Sequence, residues 1–396
     1  MKTPTNRAAG LVAAAATVLL ALLPSLAFAH AGAHDGGDWA WPFTPDILTG
    51  TLIAAVLYVA GLRRLRGRGA SPAQARIVCF FVGLMLIFVA LQSPLDALAD
   101  RSFAFHQVQH LLLHAAGPMF VMLGLPQGPM AAGLPAAFRR WIVQPATSSR
   151  LLRALFGALS HAAVATMLFI GSLYFWQIPR YHEMAVLDDG VHYGMHVSML
   201  LAGLFFFRCV FDPRPEPFGA PVRTRMLIVW TALASNIVLG AYTALKSRVL
   251  YGAYDLAGRV WGIDALADEQ LGGLVAWIPG SMMYVVAALL LLDLWNRQEI
   301  KADERRRRGL PPAGAAHPPR ADAPALRGAA DNRSLALKLG IVAVAVFAIV
   351  LAIGGFGVAR LHVQPAANKA RIAPEGDFAS PITARHPMRF DKPERP

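Results

Sequence analysis

The feature that most constrains this chain is a series of eight apolar runs after its first thirty residues. They fall at 47–62, 76–92, 104–126, 156–177, 190–211, 225–245, 271–294 and 335–358. Each has roughly the 17–25 residues that a helix needs to cross a bilayer core. Only 15% of the 396 residues are charged, against about 25% in an ordinary soluble domain. Lipid gives the backbone no hydrogen-bond partner, so runs of this length must close their bonds internally as helices. Ten-residue alternating segments, the mark of a membrane barrel, are absent. The expected fold is therefore an all-α integral membrane protein: a seven-helix bundle over 47–296, then one additional transmembrane helix at 335–358.

Orientation follows from where the cations lie. Segment 63–76 carries five Lys or Arg, 127–153 four, 208–225 four and 297–333 nine. The alternate segments carry none in 30–46, one in 93–103, one in 178–189 and three in 246–270. Cation-rich loops stay on the cytoplasmic side, which places residue 30 and the poor loops outside. The first 29 residues agree independently. Lys2 and Arg7 precede the apolar stretch Leu11–Leu23, and Ala27-Phe28-Ala29 fits a small-x-small cleavage site. They read as a signal peptide, with an uncleaved anchor as the other option. The net charge of +13 then reflects cytoplasmic loops and calls for no nucleic acid. Segment 297–333 is rich in Pro, Ala and charge, as in a disordered linker. The tail 360–396, expected outside, shows no apolar periodicity.

Two stretches carry chemistry into this apolar frame. "FHQVQHLLLH" places His106, His110 and His114 at four-residue steps where the third run begins. Such residues share a helix face and rise about 6 Å per step. An ion can bridge one i, i+4 pair but not both ends of the triplet, about 12 Å apart. His114 therefore reads as a supporting residue. "VHYGMHVSM" places His192, Met195, His196 and Met199 on one face at the start of the fifth run, with His182 in the loop before it. Both runs begin outside, so the clusters share one depth. Polar groups inside spans tend to face a bundle interior or a wet cavity. Imidazole suits copper, zinc, iron and nickel, and Met thioether favours Cu(I). The residues thus point to a metal site, copper first, built from His106, His110, His192, His196, Met195 and His182. Interfacial hydrogen bonding and simple packing are the plainer readings of the same residues. His161 reads as an interhelical hydrogen-bonding group. His30 and His34 after the cleavage site suit either Cu(II) or a solvated segment.

Two cysteines, Cys79 and Cys209, form no CxxC motif, so any metal site must use other ligands. The loop into the seventh run, "DALADEQLGGLVAWIPG", holds Asp268, Glu269 and Gln270 ahead of Gly272 and Gly273. The glycines permit close helix contact, and Trp277 fits either an interface anchor or the bundle interior. A structural or docking role is expected for Asp268, Gln270, Gly272, Gly273 and Trp277. Rival readings are a membrane di-iron desaturase or hydroxylase, a haem-carrying electron-transfer bundle, and a transporter. The first commonly needs an HxxHH box, which this sequence lacks. The last needs polar residues through the inner halves of the spans, where the sequence offers little beyond His161 and Asn236.

"LQSPLDALADRSFAFHQVQHLLLHAAGPMFVMLGLP", "FWQIPRYHEMA", "VHYGMHVSMLLAGLFFF" and "DEQLGGLVAWIPG" together resemble the polytopic CtaG family of cytochrome c oxidase assembly factors. The resemblance covers about residues 45–295. It implies a seven-span bundle in the bacterial plasma membrane that is not an enzyme. It further implies cytochrome c oxidase subunits and the lipid bilayer as partners, with copper as the metal supplied. By motif it falls on His106, Gln109, His110, His192, His196, Asp268, Gln270, Gly272 and Gly273. Glu269, inside the D-Q element, departs from the pattern, as do the linker, the eighth run and the tail.

Overall fold

A computed structural model describes residues 41, 44–214, 219–256 and 258–310. The expected signal peptide, most of 30–46, the expected linker beyond residue 310, the run at 335–358 and the segment 360–396 lie outside these residues. Among the described residues every regular element is helical. In chain order they are α1 (Pro45–Arg66), α2 (Gln74–Gln92), α3 (Pro94–Ala99), α4 (Phe103–His110), α5 (Gly117–Leu123) and α6 (Gln127–Gly133). After short helical turns over 136–148 come α7 (Arg150–Leu159), α8 (Ala162–Gln177), α9 (Pro179–Leu187), α10 (Asp189–Val210), α11 (Val222–Leu245), α12 (Ala253–Leu256) and α13 (Ala265–Arg307).

Among the described residues five helices are long and apolar enough to cross a membrane: α1, α2, α10, α11 and α13. The count reaches seven if each of two bent pairs is one span. These pairs are Phe103–Leu123 with α6, bent by 76°, and α7 with α8, bent by 67°. The first bend falls at the end of the expected run 104–126, whereas the second interrupts the expected run 156–177. At the first, Pro126 disfavours helical geometry in the residue before it, and Leu125 turns to φ 48°. At the second, Ser160 and His161 leave the helix, and His161 is exposed at the N-terminus of α8. It sits outside the interhelical position expected of it. Helix α7 carries Leu151, Leu152 and Leu155 exposed on one face with Arg150 and Arg153 off that face, a pattern suited to a membrane–water boundary.

Aromatic stacking fills the centre of the bundle. Phe169 stacks on Phe206 with centroids 4.2 Å apart, and Tyr58 on Phe80 at 3.8 Å. The outer faces are apolar as well: Leu52, Met85, Leu227, Val238 and Leu289 are each about 60% exposed. Water would penalise so large an apolar surface in total, whereas acyl chains solvate it. Helix α13 runs on through Arg307, into the segment expected to be a disordered linker. The reason is local: Arg297–Asp293 at 2.8 Å, Arg306–Asp303 at 3.0 Å and Arg308–Glu304 pair at helical spacing, each adding a few tenths of a kcal/mol.

Candidate metal centre

Helix α4 begins with two caps. Ser102 accepts from the Phe105 amide, and Asp268 of α13 accepts from the Phe103 amide at 2.8 Å and the Ala104 amide at 3.1 Å. Ser102 also donates to Asp268 at 2.6 Å, and Arg259 Nη1 donates at 2.8 Å. The first turn of a helix leaves amides without partners, so one carboxylate from a distant helix fixes where α4 starts. That sets the height of His106 and His110 in the bundle.

Beyond His110 the chain widens into a π turn over Leu111–Ala116, and the Gly117 amide bonds back to Leu112. Pro118 is the cause. It has no N–H to give, and its ring crowds the carbonyl four residues earlier, which is His114. Widening the turn relieves the clash and changes the angular step, so His114 leaves the line of His106 and His110. Its ring stacks on Phe169 at 4.0 Å, and its Nε2 lies 3.1 Å from the Phe169 carbonyl. Single π turns recur at functional sites.

Helix α10 starts from an Asp188 cap and brings His192 and His196 to the same place. His106 and His110 have ring centroids 4.4 Å apart, and His196 stands 6.0 Å from the first and 5.9 Å from the second. His192 stacks on His106 at 5.1 Å and lies 4.4 Å from His196. One ring nitrogen from each of His106, His110 and His196 lies within 4.8 Å of the others, and all three residues are buried. His106 Nε2, His196 Nε2 and both nitrogens of His110 make no hydrogen bond. A buried polar atom without a partner costs about 1–3 kcal/mol, so this concentration of lone pairs suits a cation that imidazoles hold. His192 marks the rim: its side chain is 14% exposed, with Nδ1 3.8 Å from the Asp100 carboxylate.

The other histidine and methionine candidates are placed differently. Met195 is fully buried against Met199, Ala185, Leu173 and Trp176. His182 is buried with both nitrogens occupied. Its Nδ1 lies 2.9 Å from the Trp176 carbonyl and its Nε2 2.7 Å from the Tyr254 hydroxyl. Burial holds its imidazole down to about 4, with the Trp176 bond opposing. Tyr254 then reaches His106 Nδ1 at 2.9 Å. Sequence reasoning overlooked Tyr254. Its only signal there is its place three residues after Tyr251 in segment 246–270.

The D-E-Q-L-G-G segment holds this arrangement together. Glu269, the departure from the family pattern, is fully buried. It pairs with Lys246 and accepts from the Leu250 amide at 2.9 Å and the Tyr251 amide at 2.9 Å. It thereby pins the loop that carries Tyr254. Gln270 donates to the Lys246 carbonyl at 2.9 Å. A Cβ on Gly272 would lie 2.4 Å from the Phe103 ring, and one on Gly273 would lie 2.3 Å from the Ala244 amide. Trp277 is half-buried, its backbone against Gly240 of α11. Asp268 and Glu269 face inward, so their carboxylates offer nothing to a docking partner.

Two similar proteins, both described as uncharacterized, come from Mycobacterium leprae and Mycobacterium bovis. They are 24% identical over 276 and 279 residues respectively, in each case 68% of this chain and 41% of the relative. The chain thus spans about two fifths of the length of the curated relatives it matches. No solved structure matches it. The sequence profile of Caa3_CtaG, described as cytochrome c oxidase caa3 assembly factor, matches residues 56–298. That stretch contains the histidine cluster, its Asp268 cap and the Glu269 clamp, and the chain belongs to this family of cytochrome c oxidase assembly factors.

Proposed function

We propose that the chain holds or relays copper for cytochrome c oxidase at the extracytoplasmic face of the bacterial plasma membrane, acting as an assembly factor and not as an enzyme. The supporting observation is the group of three buried imidazoles within 4.8 Å with unbonded nitrogens. Nitrogen ligands suit copper in either oxidation state. His106, His110 and His196 would hold the ion, with His192 and Asp100 at the rim as its access route. The side of the membrane rests on the cation distribution among the loops. In this reading the two bent pairs are spans, giving seven, with the run at 335–358 an eighth after a cleaved signal peptide. Lateral contact with oxidase subunits would pass the ion on.

A haem reading with His110 and His196 as axial ligands is disfavoured, because His106 stands 4.4 Å from His110, where the macrocycle would have to pass. A di-iron reading is disfavoured because the histidine-box enzymes of that class need more imidazoles for two ions than the three gathered here among the described residues. The test is the copper content of purified full-length protein. The wild type should carry copper, and the double variant His106→Ala, His110→Ala should lose it. Equal content in both ends the proposal.

A further inference from the structure

The hydrogen-bond chain behind His106 has a direction, set by a group that cannot change its role. A carbonyl oxygen only accepts. His182 Nδ1, 2.9 Å from the Trp176 carbonyl, must therefore carry the ring proton and donate. In a neutral imidazole the other nitrogen is then an acceptor. His182 Nε2, 2.7 Å from Tyr254, takes the phenolic hydrogen. A phenol has one hydrogen to give, so toward His106 the Tyr254 oxygen has only a lone pair. His106 Nδ1, 2.9 Å away, must donate into it. The ring proton of His106 is thereby on Nδ1, and Nε2 is bare. That Nε2 is the atom left without a hydrogen bond.

We infer that Tyr254 and His182 are positioning residues that lock His106 in its Nδ1–H tautomer, so that its Nε2 lone pair faces His110 and His196. The lock starts at the Trp176 carbonyl, where α8 ends, and crosses to the loop that Glu269 holds through the Leu250 and Tyr251 amides. It joins three separate parts of the chain to one ring nitrogen. A metal-binding imidazole whose other nitrogen donates to a fixed partner is held in orientation and made more basic. The consequence for copper rests on the reading proposed above; the tautomer does not.

Solid-state 15N spectra of the full-length, histidine-labelled protein without metal read the tautomer directly, with His106→Asn to assign the signal. Wild-type His106 should be protonated on Nδ1. In His182→Ala the Tyr254 hydroxyl is released to turn and donate to His106, which should drive the proton to Nε2. Tyr254→Phe leaves Nδ1 without a partner and should give a mixture. A wild-type ring protonated on Nε2, or a ring unmoved in both variants, overturns the inference whatever the protein does with copper. Cu(I) competition with a chromophoric chelator supplies the second arm. Both variants should keep one ion per chain while weakening its binding by about 10–100-fold. If the tautomer responds as expected but the wild type takes up no Cu(I), the lock stands and the copper reading falls.

Discussion

Two buried polar clusters lie at the same end of this bundle, and they differ in one respect. Around Asp268 and Glu269 the buried carboxylates meet donors from Ser102, Phe103, Ala104, Lys246, Leu250, Tyr251 and Arg259. Around His106, His110 and His196 four ring nitrogens meet none. Both clusters are expensive to bury, because groups taken from water need replacement partners. The first finds them inside the chain and serves as a joint between helices. The second leaves those four ring nitrogens without hydrogen-bond partners, the observation on which the proposed copper role rests. Satisfied buried polarity supports the fold, and unsatisfied buried polarity supports a ligand.

The comparison breaks most readily at the joint. Asp268→Ala uncaps α4 and leaves Arg259 buried beside an empty place. Removing one partner of a buried pair costs about 3–5 kcal/mol, so the variant should melt far below the wild type or fail to accumulate. A melting temperature unchanged in detergent would mean that the joint carries no weight. Gly272→Leu forces a side chain onto the Phe103 ring, where even a Cβ would sit 2.4 Å away. Overpacking of this kind costs about 1–3 kcal/mol, visible as a lower denaturation midpoint.

A smaller effect, outside both clusters, depends on pH. Asp96, in α3, accepts from Gln109 at 2.6 Å. Burial raises its carboxyl to about 7, Asp100 adds repulsion and the Gln109 bond opposes both. An unfolded chain ionises the group near 3.9. Between about pH 4 and 7 the unfolded state therefore sheds a proton that the native state keeps, and stability falls as pH rises. Asp96→Asn removes that slope and should exceed the wild type by on the order of 1–2 kcal/mol at pH 8. Parallel melting curves across this range would refute the assignment.

The smallest effect on stability belongs to the cluster with the greatest chemical capacity. His110→Leu replaces two unbonded nitrogens with apolar atoms of similar bulk. Stability should stay within about 1 kcal/mol of the wild type or rise, since no hydrogen bond is lost. Copper retention, by contrast, should fall sharply. A large loss of stability without a change in copper would show that His110 is a packing residue.

The sequence determined much of this protein on its own. Run lengths demanded membrane-scale helices because lipid cannot satisfy a bare backbone, and the profile match over 56–298 supports the resemblance that its motifs suggested. Four-residue spacing put His106 and His110, and likewise His192 and His196, on common faces, because helical periodicity is a local property. Tertiary structure alone decided three things. It seated the His114 ring against Phe169, a contact that the local π turn ahead of Pro118 does not by itself supply. It buried Asp268 and Glu269 as clamps, because their partners lie on α4 and in the loop after α11. It joined Trp176, His182, Tyr254 and His106 into one directed chain, which no local pattern encodes because the last contact spans 148 residues. Local geometry can be read from spacing, whereas a hydrogen bond across the bundle exists only once packing has brought its two ends together.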